Sequence, residues 1–587
     1  MNSLKKQTLK SPIKNALLLF FICSSILAQM QDKELTDFQT TFPDFVSKKM
    51  KKHNVIGANV TVVMENEVIM DKGFGFSDLE TRTSANSNTQ YPIGSVSKVV
   101  TSTTVLKLYS EGIIDIDKPY VYYVTDFEMK KHFAGPIDFT VRHLLTHYAG
   151  MPRLRAKGFL KKEYLPLDSL LHNSRDEYLI APSGKVYQYS DWGVDLLALL
   201  VQRVTKTPYE EYVLHHIFKP LGMNNSGFGP TTTKGYLNGE IRETYKYSYP
   251  GSDGVLSTTS DLAKLCQLYF PNHQDGTASF LKPEIVKEAL THQFVNAPMA
   301  YNTTIGIMWE IQPFGGFNRV KKAGIHEPFY TYVFFIPENG SAVIVCSNSN
   351  SSSKLHWDVW SETFDFLSKR YKWKGSFPTI KRRSGRTTLT ATQMKELEGT
   401  YSTNIGILNL KANGKKFDVA LSQDNRKGIA TTREENVLKL SVKAMGIKIH
   451  AMDIFWDKVG DELVLGEQYE SGVRKIAGSK IESKQIPDTW KKAVGDYEVV
   501  NYDETEYKTI DKVKLLINAF GVLEIKVHTS YPSEINFQQG LSPKSDTMAI
   551  IPGYNFAFFG GETVELLKKN GAYRLKLSGY ELQKITD

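Results

Sequence analysis

The sequence predicts a mixed α/β domain followed by two small all-β antiparallel barrels. Between residues 35 and 372, segments with helical periodicity alternate with segments in which every second residue is apolar. Residues 373–390 are polar and basic, which is typical of a linker. Beyond them, the apolar residues mostly follow the two-residue period of strands separated by turns. A chain of 587 residues is also too long for a single hydrophobic core.

The first 28 residues have the pattern of a secretory signal peptide. Four lysines accompany an apolar stretch, Ala16–Leu27, and Ala28 is a small residue at the expected cleavage point. The apolar stretch is too short to span a bilayer comfortably, so we expect cleavage and no stable membrane span afterwards. The pattern therefore predicts a secreted or periplasmic protein whose first mature domain covers residues 29–372.

Charge and composition argue against some classes of function. Removing the four signal lysines lowers the net charge from +9 to +5, which is mild for this length and does not indicate nucleic-acid binding. Hydrophobic residues make up 41% of the chain and charged residues 23%, as in ordinary soluble globular proteins. No group of cysteines and histidines has the spacing of a metal site, so the sequence predicts no metal and no organic cofactor.

The N-terminal domain contains several segments with a clear secondary-structure pattern. The segment that begins at Ser95 has apolar residues at helical spacing and ends before Gly112. The predicted elements, in chain order, are strands Val55–Met64 and Glu67–Phe74, helices Ser95–Ser110 and Asp191–Val204, strands Ala323–Phe335 and Ser341–Ser347, and helix Trp357–Tyr371.

The C-terminal third contains a weak internal repeat. Leu397–Tyr401 opens one unit and Ala493–Tyr497 opens another, and each unit continues with alternating apolar and polar residues. The repeat predicts one lipocalin-like barrel over residues 391–484 and a second over 485–587. A hydrophobic ligand inside either barrel would require an interior cavity, because small barrels are usually filled by side chains.

The first of three short motifs, Ser95-Val96-Ser97-Lys98, supplies a nucleophile and a base. Residues three apart share one face of a helix, so the Lys98 amine should lie beside the Ser95 hydroxyl. The positive potential of a helix N-terminus favours an alkoxide on Ser95 and a neutral Lys98, and burial would lower the pKa of Lys98 further. For an isolated motif of this kind, the alternative is an N-cap serine followed by a surface lysine.

The second and third motifs add another proton carrier and another cation. Tyr189-Ser190-Asp191 lies where a loop enters a helix, and a tyrosine near two lysines could relay a proton through its phenolate. Lys322-Ala323-Gly324 lies at a predicted strand, where Gly324 would let a substrate approach the backbone closely. The structural alternatives are a core tyrosine and a lysine at a strand edge.

The order and spacing of the three motifs resemble the serine β-lactamase and penicillin-binding protein superfamily. The resemblance is strongest to its class C-like branch of esterases, D-aminopeptidases and DD-peptidases, and it covers roughly residues 35–370. It includes the stretch 140–152 and the turn 337–340. The resemblance implies an antiparallel sheet flanked by helices, and the two barrels resemble those attached to some D-aminopeptidases of the superfamily.

The resemblance also implies a role for each motif residue. Ser95, Lys98 and Tyr189 would be catalytic, with Ser95 as the nucleophile and the other two moving protons. The backbone N–H groups of Ser95 and Ile325 would form the oxyanion hole. The residues implied in substrate binding are Asp191, Lys322 and Gly324.

Three positions depart from the superfamily's pattern. The second motif usually ends in asparagine, whose amide can donate to a substrate carbonyl, whereas Asp191 can only accept a hydrogen bond or hold Lys98. The third motif has Lys322 where many esterases and aminopeptidases have histidine, and this fixed cation suits a substrate carboxylate. Ala323 lacks the hydroxyl that lactamases often carry there, which weakens recognition of the same carboxylate.

The predicted function is that of a secreted serine hydrolase that forms an acyl-enzyme on Ser95. The partner would be a small-molecule or peptide substrate with an amide or ester bond, and a D-amino-acid peptide or peptidoglycan stem is favoured. Two alternatives stay open, a carboxylesterase of the same superfamily and a catalytically idle penicillin-recognising module. The composition of the linker further predicts that residues 29–372 fold and react without the barrels. The sequence does not determine the oligomeric state.

Overall fold

A computed structural model describes most of the chain. The described residues are 12–271, 280–294, 304–314, 316–350, 352–374, 388–404, 406–422, 427–434, 436–444, 447–459, 462–468, 474–482, 485–530, 534–553 and 559–585. Helix Pro12–His53 runs through the expected cleavage point after Ala28, and cleavage of the signal stays a prediction. Within the described ranges, no helix combines the length and the apolar character needed to cross a membrane.

An eight-stranded antiparallel sheet forms the centre of the N-terminal domain. The central strand Gly57–Met64 has a partner on each side and is buried along its whole length. The predicted hairpin around Glu65 and Asn66 is confirmed by the pairing of Met64 with Glu67. The strands, in spatial order, are Thr304–Ile305, Glu310–Phe314, Phe317–His326, Phe329–Ile336, Ser341–Ser347, Gly57–Met64, Glu67–Asp78 and Thr83–Ser84.

The prediction of a single strand over Ala323–Phe335 is wrong. Two strands, Phe317–His326 and Phe329–Ile336, pair with each other, and His326 faces Phe329 across a tight turn at Glu327 and Pro328. Proline has no N–H to donate to a neighbouring strand, so it interrupts the ladder at this point.

Helices cover both faces of the sheet. On one face, Pro12–His53 and Ser353–Arg370 contribute Val46 and Trp360 to a smaller core. On the other face, a larger core surrounds two longer helices, Ser97–Ser110 and Asp191–Thr205.

The other α-helices of the domain are Val141–Leu145, Ser169–Ser174, Tyr209–Val213, Pro250–Asp253, Thr259–Gln267 and Pro283–Ala289. Shorter helical turns are Gly94–Val96, Tyr120–Tyr122, Leu214–Phe218 and Pro337–Asn339. Short strands outside the sheet are Tyr91–Pro92, Lys130–Lys131, Leu160–Lys161, Tyr178–Leu179, Gly235–Leu237, Glu240–Arg242, Lys246–Tyr247 and Leu256–Ser257.

The first barrel has eight strands and is closed by pairing between Gly399–Thr403 and Arg474–Lys480. A cavity lined by Leu408, Leu440 and Ile454 has a volume of about 20 Å³, enough for about one water molecule and too small for a lipid. The other strands are Gly406–Asn413, Lys416–Leu421, Lys427–Glu434, Val437–Ala444, Ile447–Val459 and Glu462–Gln468.

The second barrel is a nine-stranded antiparallel sheet in which Gly495–Val499 pairs with Tyr580–Lys584. Its two edge strands, Ile535–Gly540 and Ser542–Pro543, are consecutive in the chain, so the sheet curls into a nearly closed barrel. The other strands are Ile510–Ile517, Leu523–Thr529, Met548–Ile550, Thr563–Lys569 and Ala572–Leu577. The predicted fold class, an α/β domain followed by two antiparallel barrels, is confirmed.

The sequence repeat has a physical basis in how each barrel begins. A short helix precedes each first strand, Ala391–Leu397 in one barrel and Asp488–Ala493 in the other. Tyr401 donates a hydrogen bond of 2.7 Å to the carbonyl oxygen of Leu397, and Tyr497 donates to the equivalent carbonyl of Ala493. Both tyrosines are fully buried, so the repeat marks one helix-to-strand joint used twice.

The N-terminal domain and the second barrel share a hydrophobic core, which the sequence did not predict. Leu154 and Ala156 are only 2% and 1% exposed and pack among the core residues of the second barrel. Most of the expected linker, residues 375–387, lies outside the described residues. Part of the apolar surface of residues 29–372 is therefore covered by the second barrel, and folding and reaction of this fragment without the barrels stay a prediction.

Candidate active site

Ser95 lies in a helical turn, Gly94–Val96, that leads directly into helix Ser97–Ser110. The turn packs backbone to backbone against the strand that carries Gly324. A Cβ atom on Gly324 would lie 2.0 Å from the carbonyl oxygen of Ile93 and 3.0 Å from the backbone nitrogen of Ser95. This close packing requires a glycine at position 324, and the predicted contact of Gly324 with a substrate stays a prediction.

The same close packing brings the Ile325 backbone to the Ser95 turn. Gly94 has a φ of +55°, and a Cβ atom there would lie 2.5 Å from the backbone nitrogen of Ile325. The backbone nitrogens of Ser95 and Ile325 thus belong to two segments in direct contact. Neighbouring N–H donors on rigid segments are what an oxyanion hole requires.

Lys98 lies one helical turn after Ser95 and is completely buried. Its Nζ donates to Ser95 Oγ at 3.0 Å and to the carbonyl oxygen of Ser252 at 2.8 Å. The same Nζ forms an ion pair with Asp191 Oδ1 at 2.6 Å. The predicted contact between Lys98 and Ser95 is therefore present, but the ammonium also has an anionic partner.

The prediction that the pKa of Lys98 is lowered is wrong. Burial disfavours the charge on Lys98, but the Asp191 carboxylate, together with Tyr189 and Asp253, outweighs burial and raises its pKa above the ordinary value. Helix position and burial were the local effects read from sequence, whereas the carboxylate at 2.6 Å is a tertiary contact. Lys98 is consequently a cation at neutral pH.

Tyr189 completes the contacts around the Ser95 hydroxyl. Its OH donates to Ser95 Oγ at 2.8 Å. The Nζ atoms of Lys98 and Lys322 lie 5.1 and 5.5 Å from the centre of its ring. Burial raises the pKa of the Tyr189 hydroxyl, and the Lys98 ammonium opposes burial only in part. Tyr189 is therefore protonated in the resting protein. The ammonium groups of Lys98 and Lys322 would stabilise its phenolate once the proton has left.

Asp191 is held in place by the start of its own helix. Ser190 has extended backbone, and its Oγ accepts from the N–H of Gly193 at 2.8 Å, as an N-cap does. The N–H of Asp191 donates to the carbonyl oxygen of Arg153 at 2.8 Å. A carboxylate in the first turn is also favoured by the helix dipole, so the start of the helix and the Arg153 carbonyl group together hold Asp191 beside Lys98.

Lys322 is a buried cation of the site, only 5% exposed. Among the described residues it makes no ion pair, whereas the neighbouring Lys321 pairs with Glu310 at 3.1 Å. Burial lowers the pKa of Lys322 to about 8, Glu310 opposes that change and Lys98 adds to it. The site thus keeps a positive charge that lacks an acidic partner in the described structure.

Comparison with known proteins agrees with this geometry. The Beta-lactamase family profile matches residues 42–360, more than half of the chain. The chain belongs to the Beta-lactamase family. This is a family of serine hydrolases whose relatives include penicillin-binding proteins.

One curated relative and two solved structures show the extent of the similarity. Protein flp of Staphylococcus aureus (strain NCTC 8325 / PS 47) is 27% identical over 222 residues, which are 38% of this chain and 43% of flp. The chain thus spans less than half the length of this relative. The octameric penicillin-binding protein homologue from Pyrococcus abyssi covers 75% of this chain and 99% of its own, with 24% identity and a TM-score of 0.50. The structure of SurE with D-Leu covers 75% of this chain and 100% of its own, with 15% identity and a TM-score of 0.57, which shows a shared fold.

In this member of the Beta-lactamase family, sequence reasoning missed a buried acidic group behind Lys98. Asp253 contacts Nδ1 of His326, and Nε2 of His326 lies 2.9 Å from the carbonyl oxygen of Tyr245. Burial raises the pKa of Asp253 to about 6, although His326 opposes that change. Asp195 also lies in this group, where it accepts from the N–H of Ser252 at 2.8 Å. These residues come from distant segments, so no local pattern could have found them.

Two histidines four residues apart, His143 and His147, order loops of the N-terminal domain. Nδ1 of His143 accepts from the N–H of Thr140 at 3.0 Å and forms a capping box. Nδ1 of His147 accepts from the N–H of Ser190 at 3.2 Å, and its ring lies 4.6 Å from that of Tyr189. The His147 contact supports the loop that carries the second motif, and the His143 contact caps its own short helix.

Proposed function

We propose that this protein is an exported serine hydrolase that cleaves an amide or ester through an acyl-enzyme on Ser95. The observation that carries the proposal is that Ser95 Oγ accepts two hydrogen bonds, from Lys98 Nζ at 3.0 Å and from the Tyr189 OH at 2.8 Å. Two donors on one serine oxygen stabilise the negative charge that develops when that oxygen attacks.

In the proposed mechanism, Tyr189 moves the proton and Lys98 supplies charge. The reaction starts from the form in which Tyr189 has released its proton to solvent, and Ser95 Oγ then attacks the acyl carbon while its own proton passes to the Tyr189 phenolate. Lys98, held as a cation by Asp191, lowers the free energy of both the phenolate and the developing alkoxide. Tyr189 then returns the proton to the leaving group as the amide or ester bond breaks. Water next attacks the acyl carbon, a proton of that water passes through Tyr189 to Ser95 Oγ, and the bond between the acyl carbon and Ser95 Oγ breaks.

The backbone and the second lysine complete the proposed site. The N–H groups of Ser95 and Ile325 bind the oxyanion, because their segments are packed against each other. Lys322 binds a carboxylate of the substrate, which its buried and unpaired charge favours. This supports a substrate with a free carboxyl terminus, such as a D-amino-acid peptide or a peptidoglycan stem, over a simple ester.

One observation favours a second candidate, a catalytically idle module that binds cell-wall fragments. Asp191 holds Lys98 as a cation, and burial keeps Tyr189 protonated, so neither is a ready base in the free protein. Such a module would still bind a substrate carboxylate through Lys322. It would not turn the substrate over.

Covalent labelling followed by a hydrolysis panel separates the two candidates. Purified mature protein is treated with a fluorophosphonate and a fluorescent penicillin, and Ser95→Ala should abolish labelling. Ser102→Ala is the matched control, because this hydroxyl lies on the same helix and donates only to the carbonyl of Val99. Turnover of a D-Ala-D-Ala peptide, D-Ala-p-nitroanilide, nitrocefin or p-nitrophenyl acetate supports the enzyme. Labelling without turnover supports the idle module, and labelling that survives Ser95→Ala refutes both.

Export rests on residues 1–28. N-terminal sequencing of the protein recovered from the producing cells should find a mature chain that begins near Gln29. Recovery of the protein from the cytoplasm with residues 1–28 still attached would contradict the proposed location.

A further inference from the structure

The segment of residues 152–161, here called the anchor segment, connects the site to the second barrel. At its start, the carbonyl oxygen of Pro152 accepts from Ser190 Oγ at 2.7 Å. The carbonyl oxygen of Arg153 accepts from the N–H of Asp191 at 2.8 Å. The N-terminal end of the helix that carries Asp191 is therefore held by two consecutive carbonyl groups of the anchor segment.

The next residues of the anchor segment are built into the second barrel. Leu154 and Ala156 lie in the barrel's hydrophobic core. The N–H of Ala156 donates to Ser578 Oγ at 2.8 Å, and the N–H of Lys157 donates to the carbonyl oxygen of Ser578 at 2.9 Å. Ser578 lies in the turn between two strands of the barrel, so this contact ties the segment to the barrel's own backbone.

The far end of the anchor segment is held by charge. Lys157 Nζ pairs with Glu506 Oε1 at 2.8 Å, and Lys161 Nζ lies 3.7 Å from the other oxygen of the same carboxylate. Glu506 is 2% exposed and Lys161 is 6% exposed, so these charges are largely removed from water. The N–H of Tyr507 also donates to the carbonyl oxygen of Leu160 at 2.9 Å. Removing one partner of such a buried group costs far more than breaking a surface ion pair.

We propose that docking of the anchor segment into the second barrel sets the position of Asp191 against Lys98, with Leu154 and Ala156 as positioning residues. The second barrel is thus part of the catalytic scaffold, although none of the catalytic groups belongs to it. The contacts run without a break from the barrel to the active site. Leu154 is buried in the barrel core, and the carbonyl group of the preceding residue, Arg153, accepts from the N–H of Asp191. This inference rests on the proposed function only for its effect on turnover.

The test compares two buried leucines of one core. Leu154→Ala removes the side chain that ties the anchor segment to the barrel. Leu515→Ala removes another buried leucine of the same core. This leucine lies near the C-terminal end of strand Ile510–Ile517, and that end is the one farther along the chain from Tyr507. Amide hydrogen exchange of peptides covering residues 189–193 should rise about tenfold in Leu154→Ala and stay unchanged in Leu515→Ala. Equal acceleration in both variants, or none in Leu154→Ala, overturns the proposal.

Kinetics provide the second readout. Leu154→Ala should lower kcat on the best substrate about tenfold with little change in KM, whereas Leu515→Ala should leave both within about twofold. In an Asp191→Asn background the same change at Leu154 should cost little more, because both substitutions disturb one contact. Additive losses overturn the proposal.

Two further controls keep the inference testable. If Leu154→Ala does not fold, Ser578→Ala removes the hydroxyl that bonds the N–H of Ala156 and the side chain of Glu562, and it should speed exchange at residues 189–193 by a smaller factor; unchanged exchange overturns the proposal. If Ser95→Ala keeps turnover, the proposed function fails, and the exchange measurements still decide whether the barrel positions Asp191.

Discussion

Replacing Lys322 by methionine should stabilise the protein while damaging recognition of a carboxylate. Burial lowers the pKa of Lys322 from 10.5 to about 8. Keeping this lysine charged inside the fold therefore costs about 3 kcal/mol at neutral pH, at 1.36 kcal/mol for each factor of ten. Methionine has a similar shape and no charge, so Lys322→Met should raise the free energy of unfolding at pH 7 by up to about 3 kcal/mol.

The sign of the pH dependence follows from the direction of the pKa change. Below pH 8 the lysine is charged in both the folded and the unfolded protein, and the folded state bears the full cost of burial. Between about pH 8 and 10.5 the folded protein releases its proton first, so the stability of the wild type rises relative to the variant. The advantage of Lys322→Met should therefore be largest at pH 7 and vanish near pH 10.5.

The effect on activity should depend on the substrate. A partly desolvated pair between an ammonium and a carboxylate is worth roughly 1–3 kcal/mol. Lys322→Met should therefore lower kcat/KM on a D-Ala-D-Ala peptide about tenfold or more and barely change it on p-nitrophenyl acetate. In the wild type, the preference for the peptide should fall as pH rises through about 8, because Lys322 loses its charge there.

Urea unfolding at pH 7 and pH 10 and steady-state kinetics on both substrates measure these effects. Lys321→Met is the matched control, since Lys321 is adjacent, partly exposed and paired with Glu310. It should change neither the stability nor the substrate preference appreciably. Equal losses on both substrates would refute carboxylate recognition and show that Lys322 serves the electrostatics of Ser95, Lys98 and Tyr189. If Lys322→Met does not raise the free energy of unfolding at pH 7, the cost assigned to burying the charged lysine is refuted.

Four further outcomes are expected. Lys98→Ala should lower the rate of fluorophosphonate labelling nearly as much as Ser95→Ala, and the double variant should be little slower than either. Additive losses would show that Lys98 does not act together with Ser95. Tyr189→Phe should lower kcat by a large factor with little change in KM, and a pure rise in KM would place the tyrosine in the substrate pocket instead. Asp191→Asn removes a carboxylate that raises the pKa of both Lys98 and Tyr189, so the pH profile of labelling should move to lower pH, and an unmoved profile would contradict that role. A chain that ends at Lys374 should be poorly soluble or inactive, because the anchor segment loses its cover, and a soluble fragment with full activity would argue against a shared core.

Local patterns in the sequence determined much of the fold and the composition of the site. The strands on either side of Asn66 and the helix that starts beside Ser95 follow from apolar periodicity, which reports which face of an element is buried. The repeat around Tyr401 and Tyr497 predicted two barrels because each copy marks the same helix-to-strand joint. The three motifs identified the side chains that meet, since each motif places its residues on an element of known direction.

Only the tertiary structure decided the charges of that site and what holds it. The pKa of Lys98 depends on a carboxylate 93 positions away in the chain, at 2.6 Å in the fold. The Asp253–His326 contact and the anchoring of residues 152–161 in the second barrel likewise join segments that no local pattern relates. Periodicity reports whether a residue is buried, whereas a pKa or a shared core depends on which residue is buried beside it, and long-range packing settles that.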